Sequence, residues 1–291
     1  MINKKCDIGN SEIEFEHGKL AIQAPGSVVV KSGETVVLVT AVANQGVREG
    51  IDFFPLTVDV EERMYSAGKI PGGFFRREGR PTENAILTAR LIDRPLRPSF
   101  SDGFRSETQI IVTVLSVDNQ NHYDILALNG ASLALQLAGI PLETPVGAVR
   151  MSLINDDWVA QATSDEQIDA VFEMVVAGKS NKDGNIDIVM VEAGATEDSL
   201  NLINDGGTVP DENVVVNGLE LSKDYIGKLI ETQIEMVKSC TIPEVDWTFV
   251  EDYSKELKNK IEEEYINDIS LVVKEQDPNI RSKSQKELLS T

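Results

Sequence analysis

Apolar positions in the first hundred residues recur at short range, and they predict strands before they predict helices. Segments 13–15, 20–24 and 28–31 are short apolar runs with Gly and Pro between them, the punctuation of successive short strands. Ser32-Gly33-Glu34 reads as a turn. Residues 35–43 form an apolar run rich in Val and Thr. Such a β-branched run predicts a strand covered on both faces. Phe54, Leu56, Val58 and Val60 alternate with Pro55, Thr57, Asp59 and Glu61, the period of two of a half-buried strand. Residues 66–80 carry Pro71-Gly72-Gly73 and Gly79, so an irregular loop is expected. Thr82 offers a hydroxyl to cap a helix running to about Arg94, which Pro95 is expected to stop.

Further along, residues 109–117, 147–153, 172–177 and 186–192 are β-rich, and 124–138 and 196–204 read as helices. Residues 213–238 place Val216, Leu219, Ile226, Leu229, Ile230, Ile234 and Val237 at helical spacing, against the weakening effect of Gly218 and Gly227. After Pro243 the chain becomes charged, and 249–291 has helix-like spacing without strand signals. The expected fold class is α+β: a core of βαβ units and mixed sheets with helices over residues 1–240, then an incomplete all-α module over 241–291. The end at Leu288-Leu289-Ser290-Thr291 has no closing pattern and reads as a truncation.

Composition narrows the function classes. With 41% hydrophobic and 26% charged residues among 291, the chain reads as a soluble globular protein. No apolar run reaches the length of a membrane span, and Met1 to Asp7 lacks the apolar core of a secretory signal. Cys6 and Cys240 alone make no disulfide framework; a reducing cytoplasm is the expected compartment. His17 and His122 stand apart from any ligand cluster and are read as structural. A net charge of -21 argues against indiscriminate nucleic-acid binding. Yet between Arg63 and Arg97 eight basic residues face three acids, and an anion responds to local potential.

That basic stretch contains Gly72-Gly73-Phe74-Phe75-Arg76-Arg77-Glu78-Gly79-Arg80-Pro81. Aromatic rings offer a face to any base, and guanidinium forks match phosphate oxygens, so two of each on a glycine-bordered loop suit single-stranded nucleic acid. The competing reading makes Phe74 and Phe75 core anchors and pairs the arginines with nearby acids. Arg90 and Arg94 share a helix face, with Asp93 and Glu83 near enough in sequence to neutralise them. Arg80, Arg90, Arg94 and Arg97 are candidates for further RNA or phosphate contacts.

Three ordered segments carry a family resemblance. They are Phe53 to Arg63, Tyr65 to Pro81, and Arg90-Leu91-Ile92-Asp93-Arg94-Pro95-Leu96-Arg97-Pro98. Together they closely resemble the first core domain of polynucleotide phosphorylases, and the likeness extends more loosely over the whole chain. The resemblance implies two ribonuclease-PH-like domains per chain, joined by a helical domain and followed by RNA-binding modules. It implies a homotrimeric ring with a central channel, and a cytoplasmic enzyme of mRNA decay with partners among RNA-degrading proteins. The intact enzyme would release nucleoside diphosphates from the 3′ end of single-stranded RNA, with inorganic phosphate as co-substrate and Mg2+ as cofactor. Phe74, Phe75, Arg76 and Arg77 are the RNA contacts it carries over.

The phosphorolytic site belongs to the second such domain, so the resemblance assigns no catalytic residue and no metal ligand here. Aligned onto this chain, its serine motif falls on Asn129-Gly130-Ala131-Ser132-Leu133, its two aspartates on Gln167 and Glu173, and its lysine on Val175. Leu133 and Val175 cannot bind phosphate or stabilise charge, and Gln167 is a poorer ligand than Asp for a hard metal. Two rivals share the fold: a non-catalytic RNA-binding ring subunit of an exosome-like assembly, and a self-sufficient ribonuclease PH. The helical tail and the altered Leu133, Gln167 and Val175 speak against the second.

Overall fold

The computed structural model describes every residue except Glu49, Gly73, Asp252 and Thr291; Gly73, part of the expected glycine-rich loop, therefore lies outside the described residues. Ten strands and six α-helices are present among those residues: β1 (Ile2–Ile8), β2 (Ser11–His17), β3 (Gly26–Ser32), β4 (Thr35–Ala43), β5 (Leu56–Glu62), α1 (Glu83–Leu96), β6 (Thr108–Ser116), α2 (Tyr123–Leu137), β7 (Val146–Ile154), β8 (Asp157–Ala160), β9 (Ala170–Ser180), β10 (Ile186–Ala195), α3 (Ser199–Asn204), α4 (Glu212–Lys238), α5 (Lys255–Lys274) and α6 (Pro278–Leu289). They divide into two compact units, Met1–Thr248 and Phe249–Thr291.

In the first unit, a six-stranded sheet has the order β1-β2-β3-β4-β6-β5, and a four-stranded sheet the order β10-β9-β7-β8. All neighbours are antiparallel except β5 and β6, which run parallel. The parallel pair requires a crossover, which α1 supplies. The loop of interest therefore leaves the carboxyl end of β5, the side on which βαβ units commonly present ligands.

Helix α2 packs on β3 and β4 of one sheet and on β7 of the other, and all but three of its residues are buried. Close approach depends on Gly130, where a Cβ would meet Val39 and Val30 within 3 Å. Buried polar groups staple the layers: the Asn129 amide donates to the Ala148 carbonyl at 2.9 Å and accepts from the Ala148 N–H at 3.1 Å. Ser132 donates to Gln233 of α4 at 2.8 Å and accepts from the Val146 N–H at 2.9 Å. Each bond satisfies a group that would otherwise be costly to bury.

Several expectations are corrected. Residues 20–24 form a turn, not a strand: Ala21 has φ 49° and its carbonyl accepts from Ala24 N–H at 3.0 Å. Pro95 does not stop α1 but sits inside its last turn, where few downstream N–H groups depend on the helix continuing. Strands β1 and β8 were not expected, the first because only Cys6 and Ile8 of its residues are buried and the rest of the segment is largely polar, the second because it is four residues long. Glycine does not break α4, because Gly218 lies where a Cβ would stand 2.4 Å from the Trp158 ring.

Trp247 belongs to the first unit, its indole N–H donating to the Gly139 carbonyl at 2.7 Å and its ring standing edge-on to Phe104. The second unit consists of α5 and α6, packed on each other. Ser254 caps the first and Asp277 the second, and neither helix contains a buried residue. No helix among the described residues is long and apolar enough to cross a membrane.

Candidate nucleic-acid interface

The loop is built from its roots outward. Past Glu62 the chain makes a 3-10 turn, Met64–Ala67, closed by Gly68 in the left-handed region at φ 65°. Val117 N–H donates to the Ser66 carbonyl at 3.1 Å, which fixes this turn to the end of β6. The described residues of 69–81 have no regular structure apart from short turns and bends. The chain then enters α1 through Thr82, whose hydroxyl accepts from Ala85 N–H at 3.0 Å as the expected cap.

At the tip, Phe74 is 95% and Phe75 86% exposed. Their rings meet edge to face with centroids 5.4 Å apart. Two large apolar side chains left in water forgo about 1.5–3 kcal/mol of burial each, which removes the core-anchor reading. Arg76 holds φ 50°, a left-handed conformation that costs a non-glycine residue about 1–2 kcal/mol. Among the described residues no ion pair or hydrogen bond engages the side chains of Arg76, Arg77, Arg80 or Arg90.

The remaining candidates are occupied. Arg94 pairs with Glu192 at 2.9 Å, both more than half exposed. Arg97 donates to both carboxylate oxygens of Asp93 (3.0 and 2.7 Å) and to the carbonyls of Phe54 and Leu56 (2.9 and 3.1 Å). Four of its five N–H groups thus tie α1 to the entry of β5.

Beside the loop lies a cleft of about 340 Å³, lined among others by Asn84, Tyr123, Asp124, Arg150, Gln167 and Glu173. Gln167 and Glu173 do come together there, with Gln167 bonded to His122 Nε2 at 2.8 Å. Asn129 and Ser132 do not: both are fully buried inside α2 contacts. The residues of α2 that line the cleft with Gln167 and Glu173 are at its start, Tyr123 and Asp124, so the expected placement of the serine motif on 129–133 beside them is corrected. Arg150 donates to Asp124 at 2.5 Å and to Glu173 at 3.1 Å. Burial works against its charge, but the two carboxylates outweigh this and raise its pKa further. Two acids already match the charge of Arg150, which leaves no surplus positive charge there for phosphate, and Glu173 shared with a guanidinium does not fit a divalent metal. No group of three or more His, Cys, Asp or Glu that could hold a metal exists among the described residues.

Asn121, which lines the cleft, is held by Asp118. Its carboxylate accepts from Thr35 Oγ1, the N–H groups of Glu34, Gln120 and Asn121, and the Asn121 amide, at 2.7–3.0 Å. Burial alone would raise its pKa, but these donors hold it well below the ordinary aspartate value. A depressed pKa stabilises the fold above the unfolded value near 4, and that stability is lost as pH falls through the folded value. Asp118→Asn is therefore expected to flatten the acid limb of stability, measured as urea midpoints from pH 7 down to pH 3. Equal slopes in the two proteins would exclude this role.

Comparison with known proteins identifies the fold and the relatives. A model of the 3′ exoribonuclease family, domain 1, matches residues 11–141, and domain 2 of that family matches 144–202. The chain is 48% identical over 266 residues to a polyribonucleotide nucleotidyltransferase of Salinispora tropica, covering 91% of this chain and 34% of that protein. It is 51% identical over 236 residues to that of Streptomyces antibioticus, covering 81% and 32%. The chain thus spans about a third of the length of the curated relatives it matches. Among solved structures, rice (Oryza sativa) Rrp46 matches with a TM-score of 0.58 at 15% identity, over 78% of this chain and 94% of that one. This likeness shows a ribonuclease-PH-like fold.

Proposed function

The chain belongs to the 3′ exoribonuclease family, and from that premise we propose that it supplies the RNA grip of a 3′-to-5′ phosphorolytic exoribonuclease. The observation that carries this reading is the loop tip. Phe74 and Phe75 stand in solvent beside Arg76 and Arg77, whose guanidiniums no described residue engages. Rings stack on bases and guanidiniums hold phosphates without reading sequence, which suits an enzyme that must accept every nucleotide. Arg80 and Arg90 extend the basic surface toward α1; Arg94 and Arg97 contribute charge from positions already bonded within the fold.

In this proposal, residues 241–291 begin a helical linker, and a second ribonuclease-PH-like domain carries out the chemistry. Phosphate attacks the terminal phosphodiester and the shortened RNA 3′ oxygen leaves, releasing a nucleoside diphosphate. Mg2+, when bound in that second domain, would stabilise the developing charge. A homotrimeric ring, a cytoplasmic location and partners in RNA decay complete the proposal. Purified 1–291 is expected to bind an unpaired oligonucleotide in preference to a blunt duplex of the same sequence, and to release no nucleoside diphosphate when phosphate is added. Robust phosphate-dependent release would overturn the assignment of catalysis elsewhere, and equal binding of duplex would overturn the single-strand grip.

A further inference from the structure

The loop tip is free, but its roots are tied together by one carboxylate. Glu62 ends β5, where the loop begins, and Thr82 caps α1, where it ends. The Thr82 hydroxyl donates to Glu62 Oε2. Glu62 Oε1 accepts from Tyr123 Oη at 2.6 Å and from Asn84 Nδ2 at 3.1 Å, and Asn84 also donates to Tyr123 Oη at 3.0 Å. A second tie lies inside the loop, where Glu78 Oε1 accepts from Met64 N–H at 3.0 Å.

We infer that Glu62, with Thr82, Asn84 and Tyr123, is a clamp that sets where the Phe74–Arg77 tip stands, making these four positioning residues for RNA. The inference rests on the proposed role of the loop. Three facts argue for it. An ionised carboxylate only accepts, and Glu62 meets three donors, the complement it needs. Burial would favour its neutral form, but bonds from Thr82, Tyr123 and Asn84 outweigh that and keep its pKa below the usual glutamate value. Finally, Tyr123 opens α2, the most buried helix of the fold, so the clamp refers a mobile type of segment to a rigid element. Joining the two ends shrinks the set of shapes open to the intervening chain, and with it the disorder that RNA binding must remove.

The test compares the wild-type chain with Tyr123→Phe, which removes one donor while keeping the ring. Amide hydrogen exchange over residues 74–80 and affinity for an oligo(A) single strand are read together. Exchange in the loop is expected to rise, and affinity to fall about tenfold, the scale of one hydrogen bond to a charged group. The affinity loss should vanish in a background with Phe74, Phe75, Arg76 and Arg77 all replaced by Ala, since a misplaced tip without its rings and guanidiniums has little left to lose. Asn84→Ala, at an exposed site, is the second variant if Tyr123→Phe does not fold. Unchanged exchange and affinity in a folded variant overturns the clamp; so does an equal loss in the four-alanine background, the mark of damage elsewhere. If the four-alanine variant itself binds RNA normally, the loop's role fails instead, and loop exchange alone then decides whether Glu62 orders it.

Discussion

Replacing Phe74 and Phe75 together by alanine is expected to weaken binding of an unpaired RNA at least about thirtyfold, the result of losing two base stacks at about 1 kcal/mol each, the low end of the measured range. Folding stability should stay within about 0.5 kcal/mol, because both rings stand outside the core. That separation makes the experiment clean: affinity moves and the urea midpoint does not. Arg76→Ala with Arg77→Ala is expected to act differently. Each guanidinium that meets a phosphate contributes about 0.7 to the slope of log affinity against log salt for single strands, so the pair should flatten that slope by about 1.4. The phenylalanine variant should keep the slope. Fluorescence anisotropy of labelled oligo(A), titrated across a series of KCl concentrations, reads both quantities. A phenylalanine variant that binds as wild type would remove stacking from the mechanism, and an arginine variant with an unaltered slope would remove phosphate contact.

The loop was legible in sequence because its chemistry is local. Glycines, two rings and two guanidiniums lie within a few positions of each other, and nothing apolar nearby demands that the rings be buried. Strand 35–43 was legible for a similar reason, its β-branched residues lying together in one run, and β4 spans it; the expected cover on both faces is corrected, because Thr35, Val37, Val39 and Ala41 are buried while Val36, Leu38 and Thr40 are half-buried and Val42 is exposed. Helix α4 was legible from spacing, though the reason Gly218 is tolerated lies in Trp158, sixty positions away. What sequence hid depends on contacts between distant positions. The clamp joins Glu62 to Tyr123, and the cleft joins Asp124, Arg150 and Glu173 from one helix and two strands. Helix α2 is nearly all apolar and buried, so no period marks which of its residues meet the cleft. That is why the serine motif was placed two turns too far along.

Arg150→Met is expected to destabilise the chain by about 3 kcal/mol, the low end of the cost of removing one partner from a buried ion pair. Methionine keeps much of the aliphatic volume, so the loss isolates charge. The arginine side chain is 12% exposed and Asp124 17%, while Glu173 at 37% can take up water, which is why the low end applies. Without the guanidinium, two carboxylates face each other across a confined space, where burial and mutual repulsion disfavour having both charged. Protonation relieves that repulsion, so the variant's deficit relative to wild type should shrink in acid, as carboxylates in general become neutral. Adding Asp124→Asn should recover most of the deficit at pH 7, because it removes the most buried of the stranded charges. Urea midpoints of the three proteins at several pH values decide the matter. A deficit that ignores pH would mean that Arg150 acts through packing alone. A variant as stable as wild type at pH 7 would mean that the triad is not a structural ion-pair cluster, and the cleft would again be open to a phosphate-binding role.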